Sequence, residues 1–308
     1  MDTRIILIAA GALVMAACSS NDPEVQGNAG EIHLRTEVSA PTRATDNPVA
    51  LQDEQFAENT DISVMVTDKG NLSTTLVSYP LTTYRADGAG GLTPVTTQYY
   101  PASGNNVAVC AYHPAGASTA FTVAADQQAM GDYRASDLMW AHLENINKDT
   151  DAEHRVLMFH HLCSKILIRL VKGNGVTDAE MAAATITLTG GEGDDKRLIM
   201  GGTFGSGDGT LTPDPNVTGT MTIATYAGTA PYAAVVIPQD MGGKKITVAL
   251  GGGTQSYTIP ATSANIFEPG MKYAYTVTVN KAELVVTATI EDWTTPDGWV
   301  DPTPNIKI

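Results

Sequence analysis

Short runs of alternating apolar and polar residues recur along most of this 308-residue chain, and glycine-rich turns separate them. Asp61–Val66 is one such run, and Gly251-Gly252-Gly253 is one such turn. Asp178–Ala184 is the only stretch with the composition of a short helix. Strands at this spacing predict an all-β fold of sandwich or barrel type rather than βαβ units. Two tandem β-sandwiches of about seven strands each fit the number of runs.

The longest apolar run, Val156–Val171, predicts a single long strand because it is rich in β-branched residues. Met158 and Ile166 share one face of that strand, and Lys165 and Arg169 take the other. The predicted strand therefore has an apolar face and a face that carries the charges.

A glycine-rich break, Lys172-Gly173-Asn174-Gly175, follows this run and is where we place the domain boundary. The expected organisation is a signal peptide over residues 1–17 and a tether with a removable first strand over residues 18–43. An N-terminal sandwich over residues 44–172 and a C-terminal sandwich over residues 173–308 follow.

The formal net charge of the chain is −15. Nucleic-acid binding requires clustered Lys and Arg side chains, which this chain lacks, so a nucleic-acid partner is excluded. Binding to an anionic membrane through a basic patch is disfavoured for the same reason.

Residues 1–17 have the features of a secretory leader: Arg4 precedes an apolar run that is short for a membrane span. The residues Met15-Ala16-Ala17-Cys18 resemble a bacterial lipobox, in which the cysteine becomes lipidated. Lipid on Cys18 would then be the only anchor, in the outer membrane. The alternative is an ordinary signal peptide cut after Ala17, which leaves Cys18 unmodified.

The first alternating segment of the exported part is Glu31–Val38. As a strand it places Ile32, Leu34 and Val38 on a single face. The next stretch, Ser39–Asn47, contains Pro, Thr and Asp without periodicity and is predicted to be an exposed loop.

The sequence contains no GxSxG nucleophile elbow, no HExxH zinc motif and no phosphate-binding loop, and no cofactor is expected. His161 and Cys163 share one strand face, but two ligands do not make a structural metal site, so packing roles are favoured. Cys110 and Cys163 lie in apolar runs. A disulfide and two buried free thiols both remain open for this pair.

Five features occur in series along the chain: the lipobox at Cys18, Pro41-Thr42-Arg43-Ala44-Thr45, Val109–Pro114 with Asp137–Ala141, Phe159–Ile166, and Pro269–Tyr273 followed by Thr287–Trp293. Together and in this order they resemble the fimbrillin family, the subunits of type V pili of Bacteroidota. The resemblance covers nearly the whole exported chain.

This resemblance implies two transthyretin-like β-sandwich domains with Ig-like Greek-key topology. It also implies export as a lipoprotein and cleavage between Arg43 and Ala44 by an Arg-specific protease. Cleavage would remove Glu31–Val38 and open an apolar groove, which a strand of a neighbouring subunit fills through main-chain hydrogen bonds. The loop that contains Arg43 is an accessible place for such a cut.

The expected donor is the C-terminal tail, Thr294–Ile308. Its apolar side chains suited to pockets are Trp299, Val300, Ile306 and Ile308. Three prolines in the tail count against a donor strand, because each removes an amide hydrogen.

The leading hypothesis is a structural or adhesive pilus subunit without enzymatic activity, whose partners are other fimbrillin subunits and a host or bacterial surface ligand. Shaft, tip and anchor positions are not distinguished. The alternative is a monomeric outer-membrane surface lipoprotein that binds glycan or host protein. A hydrolase that depends on His161 is a third hypothesis.

Overall fold

The computed structural model of this chain describes residues 30–38, 55–67, 81–225, 231–251 and 253–293. The strands up to the middle of the chain are β1 (Leu34–Val38), β2 (Asp61–Thr67), β3 (Thr82–Ala86), β4 (Gly91–Pro94), β5 (Val107–His113), β6 (Ala120–Thr122), β7 (Met139–Ile146), β8 (Val156–His161) and β9 (Ser164–Lys172). The later strands are β10 (Thr185–Thr189), β11 (Leu198–Ile199), β12 (Gly201–Gly205), β13 (Thr210–Pro213), β14 (Thr218–Gly219), β15 (Met221–Thr225), β16 (Tyr232–Val236), β17 (Lys245–Leu250), β18 (Gly253–Thr258), β19 (Met271–Val279) and β20 (Leu284–Asp292). Two short α-helices interrupt them, α1 (Met130–Ala135) and α2 (Asp178–Ala182).

Seven strands form a closed sheet in the order β1-β4-β3-β2-β5-β7-β8, which we call the ring. Neighbouring strands of the ring are antiparallel except for β1 and β8, which run parallel. The alternation of side chains along each strand places one set inside the ring. A buried apolar cluster that includes Phe56, Val64 and Phe159 fills the interior.

Eight further strands form an open sheet in the order β18-β17-β10-β15-β16-β9-β19-β20. The central strand β9 pairs antiparallel with β16 and parallel with β19. The remaining strands of the described residues form two small sheets, one of β11 and β14 and one of β13, β12 and β6. Because β6 comes from the N-terminal half of the chain, this last sheet joins the two halves.

The connection that follows β6 also enters the eight-stranded sheet through the side chain of Gln127. This buried side chain donates through Nε2 to the Val235 carbonyl and accepts from the Val235 amide at Oε1, each at 2.8 Å. The side-chain amide of Gln127 thus makes the same two hydrogen bonds to β16 that the backbone of a neighbouring strand would make. Both the nitrogen and the oxygen of this buried side chain are therefore paired.

The all-β class predicted from the sequence is confirmed, and α2 lies within the stretch predicted to be helical. α2 begins with a capping box, in which Thr177 and Glu180 satisfy each other's backbone amides. α1 was not predicted from the sequence. The division into two tandem transthyretin-like sandwiches stays a prediction.

The single long strand predicted over Val156–Val171 is wrong. The chain bends at Leu162 and Cys163, so that β8 ends in the ring and β9 begins in the eight-stranded sheet. The predicted faces also differ. Met158 is exposed, and Lys165 is fully buried because both faces of β9 are covered there.

The domain boundary predicted at Lys172 and Gly173 divides the chain into two separately folded units, and this division stays a prediction. In the strand pairing, however, the chain passes from the ring to the eight-stranded sheet at Leu162-Cys163, before β9 rather than after it. The alternation of apolar residues continues through the bend, so it does not show that the chain leaves one sheet and enters the other.

We expect Gln127→Glu to lower the free energy of unfolding by about 3 kcal/mol or more, because a buried carboxylate would face the Val235 carbonyl. Urea denaturation measures the change. Gln128→Glu is the matched control, since Gln128 is exposed and should change stability little. Equal stability of the two variants would contradict the structural role of Gln127.

Candidate functional site: the ring-closing strand

The segment Glu31–Val38, which we call the closing segment, contains β1 and completes the ring. In the parallel ladder with β8, Arg35 lies opposite Val156 and Val38 lies opposite Phe159. In the shorter antiparallel ladder with β4, Leu34 lies opposite Leu92. Without the closing segment, β4 and β8 would become the unpaired edges of an open sheet.

The backbone amides of the closing segment divide between its two neighbours. Ile32 N–H donates to the Gln98 carbonyl at 2.9 Å and Thr36 N–H donates to the Gly90 carbonyl at 2.8 Å, both on the β4 side. Arg35 N–H donates at 2.9 Å to the carbonyl of Arg155, which precedes β8. Residues whose side chains point into the ring therefore donate toward β4, and those that point outward donate toward β8.

The apolar side chains of the closing segment point into the ring. Ile32, Leu34 and Val38 are at most 5% exposed and belong to the cluster that fills the interior. Burial of three such side chains stabilises the ring by about 5–9 kcal/mol in total. That is comparable to the stability of an ordinary domain, about 5–15 kcal/mol. Loss of this segment without a replacement is therefore expected to destabilise the ring strongly.

Thr36 is a fourth inward residue, and sequence reasoning missed it because threonine is polar. It is 3% exposed, and its Oγ1 has no hydrogen-bond partner among the described residues. A buried hydroxyl without a partner costs free energy that an apolar side chain of the same shape would not. At this position the closing segment therefore places a hydroxyl that has no described partner in the apolar interior of the ring.

Tyr84 of β3, the strand next to β4 in the ring, holds the start of the closing segment. Its side chain is fully buried, and its hydroxyl donates to the Ile32 carbonyl at 3.2 Å. Burial, with a smaller contribution from Tyr100, raises the pKa of Tyr84 above its ordinary value. The hydroxyl therefore stays protonated and remains a donor at physiological pH.

Gly90 allows the close approach of β1 to the turn before β4. Its φ is +91°, a conformation that side chains disfavour, and an added Cβ would lie 3.2 Å from the Thr36 carbonyl oxygen. The Gly90 carbonyl accepts the Thr36 amide at this point. A residue with a side chain at position 90 would therefore crowd the closing segment.

A buried polar pair lies where β8 leaves the ring. His161 Nδ1 is 2.8 Å from Asp137 Oδ1, and both side chains are at most 2% exposed. A hydrolase would require a nucleophile on the other ring nitrogen. His161 Nε2 has no hydrogen-bond partner in the described part of the chain, and the Ser164 hydroxyl donates to the Glu268 carbonyl instead.

Trp293 covers the same histidine. The two rings are stacked at a centroid distance of 4.0 Å and an angle of 5°, and Lys165 Nζ lies 5.8 Å from the centre of the Trp293 ring. The backbone amide of Trp293 also donates to the Gly270 carbonyl. Because His161 follows Phe159, the partner of Val38, Trp293 lies beyond the C-terminal end of the closing segment.

The two cysteines of the described residues are free and buried, so the disulfide left open by the sequence is not formed here. Burial raises the pKa of Cys110 to about 12, with smaller contributions from Asp208 and Glu144. Burial also raises the pKa of Cys163. Both thiols are therefore protonated and unreactive at physiological pH.

Several predicted site residues lie outside the described residues: Cys18, Arg43, Ala44, Trp299, Val300, Ile306 and Ile308. Lipidation, cleavage and donation by the tail stay predictions. In the described ranges, no group of three or more His, Cys, Asp or Glu side chains is arranged to hold a metal ion. Nor does any described helix have the length and apolar character to cross a membrane.

We expect Tyr84→Phe to weaken the hold on the closing segment, because it removes the hydrogen bond to the Ile32 carbonyl. The free energy of unfolding should fall by about 1 kcal/mol. Hydrogen exchange at the Ile32 and Thr36 amides should accelerate by more than exchange elsewhere in the ring. Tyr99→Phe is the control, since Tyr99 is half exposed. Unchanged exchange in Tyr84→Phe would contradict this role.

We expect Thr36→Val to stabilise the uncleaved chain by about 1 kcal/mol, because it removes the buried hydroxyl without a partner. Thermal denaturation measures the difference. Thr93→Val on the exposed side of β4 is the matched control and should change stability by a few tenths of a kcal/mol at most. Destabilisation by Thr36→Val would mean that the hydroxyl has a partner after all.

Comparison with known proteins extends these observations. Residues 42–293 match the family model described as fimbrillin-like. Fim1C of Bacteroides uniformis, provisionally named a fimbrium subunit, is 26% identical over 219 residues, which are 66% of this chain and 66% of that protein. The match thus spans slightly less than two thirds of the relative.

Two crystal structures show a similar fold, and both proteins are provisionally named cell adhesion proteins. The one from B. uniformis has a TM-score of 0.64 and 20% identity, with 87% of this chain and 100% of that one covered. The one from B. ovatus has a TM-score of 0.63 and 19% identity, with 85% and 97% covered. Since the family model extends over most of the sequence, the chain belongs to the fimbrillin-like family.

Proposed function

We propose that this chain is a structural or adhesive pilus subunit that assembles by strand exchange at the cell surface. It is exported as a lipoprotein through Cys18 and held in the outer membrane by that lipid. An Arg-specific protease cuts it after Arg43, and the closing segment then leaves the ring. A strand from another fimbrillin subunit takes its place.

The observation that supports this proposal is the position of the closing segment in the ring. It pairs on both sides and buries Ile32, Leu34 and Val38, yet it precedes every other strand that the structure describes. A cut at the Arg43 to Ala44 bond therefore separates it from the rest of the ring without breaking another strand. The open ring would keep two unpaired edges and an apolar interior, which favour pairing with an added strand.

The proposal involves no catalytic step by the chain itself. Its partners are subunits of the same family, the processing protease and outer-membrane lipid. A host or bacterial surface ligand for an adhesive subunit is part of the proposal as well. A monomeric surface lipoprotein that binds glycan or host protein is the competing function, and it differs in keeping the closing segment.

Treatment of the purified full chain with an Arg-specific protease tests this function. We expect Ala44 as the new N-terminal residue, loss of the closing segment, and a ladder of oligomers on a denaturing gel of unheated samples. Arg43→Ala should stay uncut at this site and monomeric. Arg35→Ala is the matched control and should be processed normally, because Arg35 lies inside the β1 ladder and is not the site of the cut.

The competing function predicts a different result. A chain that is cut after Arg43, stays monomeric and retains slow exchange at the Ile32 and Thr36 amides would contradict polymerisation. It would support a surface lipoprotein that keeps its first strand.

A further inference from the structure

The strand β8 has different neighbours along its length. Residues 156–159 pair in parallel with residues 35–38 of the closing segment. Among the described ladders, only its last two residues, His160 and His161, pair with β7. Most of β8 therefore has the closing segment as its strand partner, and this pairing is lost when the segment leaves.

The β4 side of the groove has more support of its own. In β4, residues 92–94 also pair with β3, so this strand keeps a neighbour without the closing segment. The same side continues through residues 98–100, which hydrogen-bond to Gly30 and Ile32 and form a β-bridge to Glu31. Departure of the closing segment therefore leaves β8, rather than β4, without most of its strand pairing.

Apolar side chains also hold β8, but their burial depends on the closed ring. Leu157 and Phe159 are fully buried in the interior, and Phe159 packs edge-on against Phe56 at a centroid distance of 4.8 Å. The same interior contains the three apolar side chains of the closing segment. Their loss would expose part of this cluster to water, so the apolar hold on β8 weakens together with its pairing.

The C-terminal end of β8 is held by contacts that do not involve the closing segment. His161 Nδ1 lies 2.8 Å from Asp137 Oδ1, and the Leu162 amide donates to the Leu138 carbonyl at 2.8 Å. Trp293 stacks on the His161 ring at 4.0 Å. We call Asp137, His161 and Trp293 the anchor cluster. It joins the end of β8 to the residues before β7 and to the residue that follows β20.

Backbone hydrogen bonds tie the anchor cluster to the bend that follows β8. The backbone amide of Trp293 donates to the Gly270 carbonyl at 2.8 Å, and the Gly270 amide donates to the Cys163 carbonyl at 2.9 Å. Gly270 has a φ of +70°, a conformation that side chains disfavour. The Ser164 hydroxyl donates to the Glu268 carbonyl nearby. The bend and the backbone of Trp293 therefore hold each other in place.

The residue types of the anchor cluster suit a fixed orientation. A histidine can donate through Nδ1 to a carboxylate and stack on an indole at the same time, which fixes both the rotation and the plane of its ring. His161 Nε2 and Trp293 Nε1 have no hydrogen-bond partner in the part of the chain that the structure describes. Two apolar side chains would avoid that cost, so stability alone does not account for the pair.

We propose that Asp137, His161 and Trp293 position β8 while the groove is open, between the loss of the closing segment and the arrival of another strand. This inference rests on the proposed function and adds positioning residues to it. In the closed ring, the closing segment and the anchor cluster hold β8 at different points. In the open ring, the anchor cluster and the short ladder with β7 keep this side of the groove in place.

Hydrogen exchange in the uncut full chain tests this role without cleavage or assembly. Leu34→Ala leaves a cavity under the closing segment and so increases the fraction of molecules in which it detaches. We expect exchange in the closing segment and in residues 156–159 to accelerate by about tenfold or more. The Leu162 amide should stay within about twofold of wild type, because the anchor cluster still holds it. Ile32→Val weakens the segment less and replaces Leu34→Ala if that variant unfolds.

His161→Leu removes both the bond to Asp137 and the stacked ring. Combined with Leu34→Ala, it should accelerate exchange at the Leu162 amide by about tenfold more than the product of the two single effects. His160→Leu is the matched control, since His160 is the preceding residue, also pairs with β7 and is exposed. Its effect should multiply with that of Leu34→Ala to within about twofold.

Substitution of Trp293 separates the stacked ring from simple burial. Trp293→Leu should reproduce the excess acceleration of His161→Leu, and Trp293→Phe, which keeps an aromatic ring over His161, should not. A stack that only stabilised the fold would accelerate exchange at Leu162 equally with and without Leu34→Ala. Such independent effects, or the same excess with His160→Leu, would overturn this inference while strand exchange stands.

Uptake of a peptide tests the open groove itself. After cleavage following Arg43, a fluorescent peptide of residues 30–38 reports on the groove without the tail of any chain. We expect the His161→Leu chain to bind this peptide about tenfold more weakly than the His160→Leu chain, because β8 must then be ordered during binding. Equal affinities would overturn this inference. Absence of oligomers from the cut wild-type chain would instead overturn the proposed function.

Discussion

The closure of the ring by β1 is the interaction on which the rest of the structure depends. A seven-stranded closed sheet has no exposed edge, and every strand contributes side chains to the buried apolar cluster in its interior. β1 supplies both ladders that join β4 to β8. Its contribution to the interior, through Ile32, Leu34 and Val38, is comparable to the net stability of a domain. The same segment therefore both closes the ring and contributes much of its stability.

Several contacts connect the ring, or residues next to its strands, to the later sheets. β6 pairs with β12, Gln127 bonds to β16, and His161 at the end of β8 stacks on Trp293, which follows β20. These contacts fix the base of the tail beside the end of the closing segment. Packed side chains therefore set the positions of both the end of the closing segment and Trp293.

The sequence predicted well what depends on local alternation. The face shared by Ile32, Leu34 and Val38 and the all-β class both follow from period-two patterns, which reflect one buried and one solvated side. The prediction from the sequence failed for a strand whose two faces are both buried. β9 is covered on both faces, so Lys165 is buried against expectation, and the run from Val156 hid a bend at Leu162.

Two features of the site were beyond sequence reasoning for a different reason. Thr36 points inward although threonine is more often exposed, and only the register of β1 shows it. The stacking of His161 on Trp293 joins residues far apart in the chain, and no local pattern encodes such a contact. The sequence alone predicted the shared face of Ile32, Leu34 and Val38 but not the residues that surround it.

The N-terminal residue of the mature protein at the cell surface tests the central claim most directly, because the closing segment is either removed or retained. N-terminal sequencing or mass spectrometry of surface-released protein decides between the two. Strand exchange at the ring predicts Ala44. A mature protein that begins at a lipidated Cys18, with the closing segment still present, would contradict it.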